Sequence, residues 1–201
     1  TAGRATVLGV THDPRLLSHA DRVLHLEDGV VRRDERPNRL PLPESRPVAP
    51  PPRGPFVLLL AGAVGSEAHD DAVQHFCGSI LPRIQAGADR PVTLRVVGVG
   101  ESPTVARLGG QAGVEVIGEV ADMAACYRDA HIAVVPLRAG GGSRLRVLEA
   151  FAQRRPVVSS SAGMEGIDAV DGEHAFLADD PLRFADDVQR LLRDAALAAR
   201  M

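Results

Sequence analysis

The sequence has no tryptophan, one tyrosine and five phenylalanines, so only 3% of its 201 residues are aromatic. A core must then be packed from alanine, valine and leucine, and a 45% apolar content is enough for at least one domain. Cysteine is also scarce. Cys77 and Cys126 stand alone, in no CxxC or zinc spacing, which fits a reducing compartment. The formal net charge of −3 leaves no basic surplus for a nucleic-acid partner, and none is expected. No apolar run reaches the ~18–20 residues a membrane span requires. A charged-then-apolar leader is missing from the first residues as well. A cytoplasmic location without a membrane span is the expectation.

The most informative stretch runs from Pro136 to Ser161, PLRAGGGSRLRVLEAFAQRRPVVSSS. It reads as the exit of a buried strand, a glycine loop, a helix and a second buried strand. Gly140, Gly141 and Gly142 permit a tight turn and a close approach of backbone to ligand. Ser143 is a natural N-cap, which predicts a helix from about Arg144. Leu145, Leu148 and Ala152 are spaced for its buried face. Arg146, Glu149 and Gln153 fall on another face, with Arg144 in the positively polarised first turn. Free N–H groups, a glycine loop and two arginines suit a diphosphate. Glu149 lies further in, where a carboxylate accepts from a pair of sugar hydroxyls. The plainer alternative is an exposed Arg146–Glu149 helical pair, contributing a few tenths of a kcal/mol.

This pattern resembles the C-terminal half of the retaining "group 1" glycosyltransferases of the GT-B fold. That family carries a glycine loop, then Arg-Leu-Lys-Val-Leu-Glu-Ala-Met-Ala, and shortly afterwards Pro-Val-Val. The corresponding residues are Arg144 to Ala152 and Pro156-Val157-Val158. The resemblance implies that Glu149 holds the donor ribose. It also implies that Gly141, Gly142, Ser143, Arg144, Leu145 and Arg146 surround the diphosphate. The family's first motif glutamate maps to Gly141, so that group is missing, as in a branch of the family with glycine there. Further matches are Asp71-Ala72, Leu81-Pro82-Arg83-Ile84, the Val97-Gly98-Val99-Gly100 strand end, and Gly163 to Ile167. Gly118 to Val120, with Gly118 and Val120 at its ends, is the implied backbone surface for the base. Many relatives place an arginine and a lysine after the first strand of this half. Here Gly65, Ser66 and Glu67 stand there, which shifts phosphate binding towards Gly140–Arg146. Glu165 reads equally as a site residue or a loop carboxylate.

The first residues have a different character. Thr6 to Thr11 reads as a strand, and Asp13-Pro14 as the start of a helix burying Leu16, Leu17 and Ala20. Val23, Leu24 and Leu26 read as a strand, Asp28-Gly29 as a turn and Val30-Val31 as the return. The segment resembles the last portion of an ABC-transporter ATPase domain, with His12 at the γ-phosphate switch position. Phosphoryl transfer also needs a phosphate loop and a metal-binding acidic strand, and the sequence has neither, so His12 is expected to be inert. Eight of the chain's 15 prolines then lie between Pro37 and Pro55, which predicts an extended linker.

From Phe56 onward, strands alternate with helices: 56–61, 92–97, 114–117, 131–136, 157–158 and 176–178. The expected fold class is α/β, a Rossmann-like doubly wound parallel sheet forming one half of a GT-B fold. A small N-terminal β/α fragment and a proline-rich linker precede it. The expected divisions are an ATPase-like remnant over 1–34, a linker over 35–55 and a nucleotide-sugar-binding domain over 56–201. Ala72, Val73, Phe76 and Ile80 should face inward from one helix, and Phe184, Val188, Leu191 and Leu192 from the last. His69, Asp70, Asp71 and His75 match no standard metal spacing and read as a polar helix face, so no metal is expected. The implied ligand is a nucleoside-diphosphate sugar acting as substrate, with no separate cofactor. An acceptor half is absent from the sequence, as is the terminal helix that returns to it, so little or no turnover is expected of the chain alone. Two other classes stay open. One is a non-catalytic interaction or nucleotide-binding module. The other is an ATPase-derived fragment docking a transporter subunit. A separate chain carrying the acceptor half would be a further partner.

Overall fold

Short runs of valine, leucine and isoleucine bounded by glycine, proline or a polar cap form the strands, and amphipathic stretches between them form the helices. The computed structural model describes residues 23–27, 30–35, 54–139 and 145–201. The chain divides into two units, residues 1–48 and 49–201. In the first, β1 (Val23–Glu27) and β2 (Val30–Glu35) pair antiparallel, with Val23 opposite Glu35 and a register shift between His25 and Leu26. β2 outlasts the expected Val30-Val31 return, because ladder bonds between main chains continue through polar residues. It ends on Glu35, where the linker was expected to begin. The expected Thr6–Thr11 strand, the helix after it and His12 lie outside the described residues.

The second unit holds one parallel sheet. Its strands are β3 (Phe56–Ala61), β4 (Val92–Val97), β5 (Val114–Gly118), β6 (Ile132–Val135), β7 (Val157–Ser159) and β8 (Phe176–Leu177). Their order is β5-β4-β3-β6-β7-β8. Helices connect them, namely α1 (Glu67–His75), α2 (Leu81–Gly87), α3 (Pro103–Leu108), α4 (Met123–Asp129), α5 (Leu145–Ala152) and α6 (Ser161–Met164), and α7 (Pro181–Arg193) and α8 (Ala195–Arg200) follow the last strand. Alternation along the strands divides the core between the two faces. Phe56, Leu58 and Leu60 pack on one face with Val73, Phe76, Ile80, Phe184, Val188 and Leu191. Leu59, Val97, Ala133 and Val157 pack on the other with Tyr127, Val147 and Ala150. Helices on both faces make the sheet doubly wound, as its strand spacing implied.

Three local outcomes differ from the sequence reading. Between α1 and α2 the chain makes a π-helical turn, Phe76–Ile80, where a continuous helix was expected. Pro82 has no N–H and its ring would press on the carbonyl four residues back, which a wider turn relieves. The strand expected over 131–136 is trimmed to Ile132–Val135. The third difference is a correction to α5. Its buried residues are Val147 and Ala150, whereas Leu145 and Leu148 are 48% and 39% exposed and Ala152 is exposed as well. Positions 147 and 150 are spaced like 145 and 148, so periodicity alone could not choose the face. Close approach to β6 and β7 selects the side with the small alanine and β-branched valine.

Candidate functional site

The strand order reverses at β3 and β6: β4 and β5 lie on one side, β7 and β8 on the other. Connections leave in opposite directions there, opening a crevice beyond the carboxyl ends of the strands, where such sheets hold ligands. A cleft of about 300 Å³ occupies this place, lined by Gly62, Ser66, His69, Leu145, Arg146 and Gly163 among others. Each of these residues follows a strand end or opens a helix, which is why residues distant in sequence meet.

On the β3 side, Gly62 directly follows the strand. A Cβ at Gly62 would lie 1.9 Å from His69 Cδ2, so only glycine lets the imidazole rest against the strand end. Ser66 caps α1: its hydroxyl accepts from His69 N at 3.4 Å and donates to Ala63 O at 2.8 Å. His69 is 5% exposed, and neither ring nitrogen has a hydrogen-bond partner. Asp70 Oδ1 is 3.9 Å from Nδ1, beyond hydrogen-bond reach. Burial lowers the His69 pKa, Asp70 opposes that shift and Arg146 adds to it, so the ring is held neutral. Its acidic neighbours face other partners. Asp70 accepts from Gly65 N at 2.9 Å and from the Ser102 hydroxyl. Arg138 grips Asp71, holding that carboxyl below its usual range. Among the described residues no group of three or more such side chains is placed to hold a metal ion.

The β6 side supplies α5. Arg146 Nη1 lies 3.1 and 2.8 Å from the two Glu149 oxygens. The ion pair is partly open, with Arg146 34% and Glu149 27% exposed at the side chain. Tyr127, from α4, is buried in the core on the Leu59 face of the sheet, and its hydroxyl lies 2.9 Å from Arg146 O and 3.2 Å from Glu149 Oε2. The phenol is buried beside a carboxylate, and both push its pKa upward. The chain has no lysine, and its 23 permanently basic side chains are all arginines, so a permanent cation at the cleft is a guanidinium.

The structure therefore brings together Leu145, Arg146 and Glu149 of the expected site residues. Gly118 and Val120 lie elsewhere, at the end of β5 and just beyond it. Gly118 has φ +77° and its carbonyl accepts from Gly98 N at 3.0 Å, while Val120 packs partly against the core on the Leu59 face of the sheet. Gly140, Gly141, Gly142, Ser143 and Arg144 lie outside the described residues. Sequence reasoning missed Tyr127 as a neighbour of Glu149 and read His69 only as part of a polar face. The available signal for Tyr127 was its being the only tyrosine in the sequence. For His69 it was the glycine at the preceding strand end.

Comparison with known proteins agrees with this architecture. The family model "Glycosyl transferases group 1" matches residues 55–194. The chain belongs to that family. Solved structures of similar fold include the Staphylococcus aureus protein TarM, as a point mutant in complex with fondaparinux, alpha-GlcNAc-glycerol and UDP. It is 16% identical, with a TM-score of 0.58 over 77% of this chain and 32% of that one. The C-terminal domain of a group 1 family glycosyl transferase (LpcC) from Francisella tularensis is 21% identical, with a TM-score of 0.57, covering 76% of this chain and 89% of that one. Anabaena Alr3699/HepE, in complex with UDP and glucose, is 17% identical, with a TM-score of 0.56 over 73% of this chain and 41% of that one. A curated relative of a different kind is the probable syringafactin export ATP-binding/permease protein SyfD of Pseudomonas syringae pv. tomato. It is 31% identical over 103 residues, which are 47% of this chain and 15% of that protein. The chain thus spans about a third of TarM and a seventh of SyfD. Among the described residues no helix is long and apolar enough to cross a membrane.

Proposed function

We propose that residues 56–201 form the donor half of a glycosyltransferase, binding a nucleoside-diphosphate sugar for transfer of its glycosyl group to an acceptor. The cleft at the β3/β6 reversal carries this reading, because it sets Arg146, the ion-pair partner of Glu149 on the same helix, beside the N-terminus of α1. Arg146, with Arg144 and the Gly141–Ser143 loop, suits the diphosphate, and Glu149 suits the ribose hydroxyls. Gly118 and Val120 are assigned to the base. The UDP and glucose in the Anabaena relative support a ligand of this class. Transfer needs groups and water exclusion from both walls of a cleft. The acceptor wall is assigned to a separate chain or segment. We further assign residues 1–34 to the end of an ABC-transporter ATPase domain and residues 35–55 to a linker. The SyfD similarity supports this and favours, as a second reading, docking to a transporter partner.

Calorimetric titration of the chain with UDP, GDP and ATP tests the first reading, with Glu149→Ala as control. UDP or GDP should bind, and the variant should bind about tenfold more weakly through loss of charge-assisted hydrogen bonds. Binding indifferent to Glu149 removes the ribose assignment. Binding of ATP alone favours the transporter-derived reading, and no binding at all leaves an interaction module.

A further inference from the structure

Glu149 is held from two directions, and the two holders differ in how they are fixed. Arg146 reaches it along α5, three residues away, on a flexible and partly exposed side chain that also lines the cleft. Tyr127 reaches it from α4 and is 1% exposed. Its ring is packed in the core on one face of the sheet, with Leu59, Ala130, Val147 and Ala150. A phenol has a single hydrogen to give. At 2.9 and 3.2 Å, the Arg146 carbonyl and Glu149 Oε2 share that donor, so the hydroxyl ties the first turns of α5 to a stationary point.

Entry of a diphosphate changes the balance. Among the described residues, the guanidinium that now pairs with Glu149 is the cation lining the cleft, and a phosphate competes for its forked donors. Once Arg146 turns to the phosphate, the carboxylate loses its mobile partner and keeps its fixed one. We propose that Tyr127 is a positioning residue for Glu149, holding the carboxylate towards the ribose hydroxyls while Arg146 exchanges Glu149 for the donor diphosphate. This rests on the donor-site reading above. It goes further by naming a residue that touches no substrate and by coupling recognition of the ribose to that of the diphosphate.

The test titrates the full chain with UDP and GDP and with their 2′-deoxy counterparts, using whichever base binds. Wild type, Tyr127→Phe, Glu149→Gln and the double variant are compared. The readout is the ratio of affinities for the ribo and deoxyribo ligands. That ratio is a property of folded molecules and does not change if part of a variant sample is unfolded. Wild type should prefer the ribonucleotide by about tenfold, the scale of a hydrogen bond to a charged group. Tyr127→Phe should bring the ratio most of the way to one. The double variant should lose no more than Glu149→Gln alone. If Tyr127→Phe keeps the wild-type ratio while Glu149→Gln abolishes it, the positioning role is overturned and the donor site stands. Losses that multiply in the double variant also overturn it, because Tyr127 would then act independently of Glu149. If Glu149→Gln leaves the ratio unchanged, or neither base binds, the donor-site reading fails and this inference with it.

Discussion

A buried imidazole with both nitrogens unpartnered is tolerable only in its neutral form, and His69 is such a group. The charges that face it are Asp70 on its own helix and Arg146 from α5; desolvation, with Arg146 acting in the same direction, outweighs the pull of Asp70. Its folded pKa lies below the ~6.5 of an exposed histidine, so the unfolded chain binds the proton first on acidification. Stability from this group is full above about pH 6.5 and is lost as pH falls from there through the lowered folded value. Urea unfolding followed from pH 8 to pH 5 should show that decline, and His69→Asn should flatten it. An unchanged slope in the variant would transfer the effect to His75, whose pKa is also lowered by burial. At the alkaline end Cys77 acts in the opposite sense: burial pushes its thiol up to about 11, so the unfolded chain ionises first above pH ~9 and stability falls as pH rises. Gly98 is constrained sterically. A Cβ there would lie 1.7 Å from Gly62 O, and the nearest atoms are all Gly62 backbone, with no flexible side chain to yield. Gly98→Ala should cost roughly 1–3 kcal/mol, read as a lower denaturant midpoint at unchanged slope.

Among the elements, α7 shows how local and tertiary signals reinforce each other. Asp180 caps it by accepting from Leu182 N at 2.9 Å and Arg183 N at 3.0 Å, and Pro181 fills the first turn. Phe184 then meets Phe76 edge to face at 5.9 Å between ring centres. Phe184→Ala should destabilise by about 3–5 kcal/mol, and Asp180→Ala by about 1 kcal/mol, both measured by denaturant unfolding. Elements of this kind were legible in the sequence. The Pro181 start and the inward Phe184, Val188 and Leu191 follow from cap and periodicity, and 56–61 and 92–97 are strands over the expected residues. Elements whose geometry is set by a neighbour were not. The π-helical turn before Pro82 and the buried side of α5 depend on what those residues pack against. The Tyr127–Glu149 contact joins residues 22 apart on different helices, and no local pattern encodes it. The Arg146–Glu149 pair, by contrast, was read from its three-residue spacing, and it forms.

For the whole molecule, the point at issue is whether the site is complete within the second unit. The cleft is lined by residues between Leu60 and Gly163, and the family model lies wholly within 55–194. Both fall on one side of the division at residues 48 and 49. A parallel sheet with apolar cores on both faces buries enough surface for independent folding. A chain of residues 54–201 should therefore unfold in one cooperative transition and bind UDP or GDP within about twofold of the full chain's affinity, since affinity follows contacts in the cleft. Melting followed by circular dichroism and parallel titrations would check both. Loss of affinity with an unchanged melt would mean that residues 1–53 contribute to the donor site, and the proposed division of the chain would have to be redrawn. Loss of cooperativity would mean that residues 1–53 are part of the fold and no passenger. Equal stability and equal affinity would leave residues 1–34 free for the proposed contact with a transporter partner.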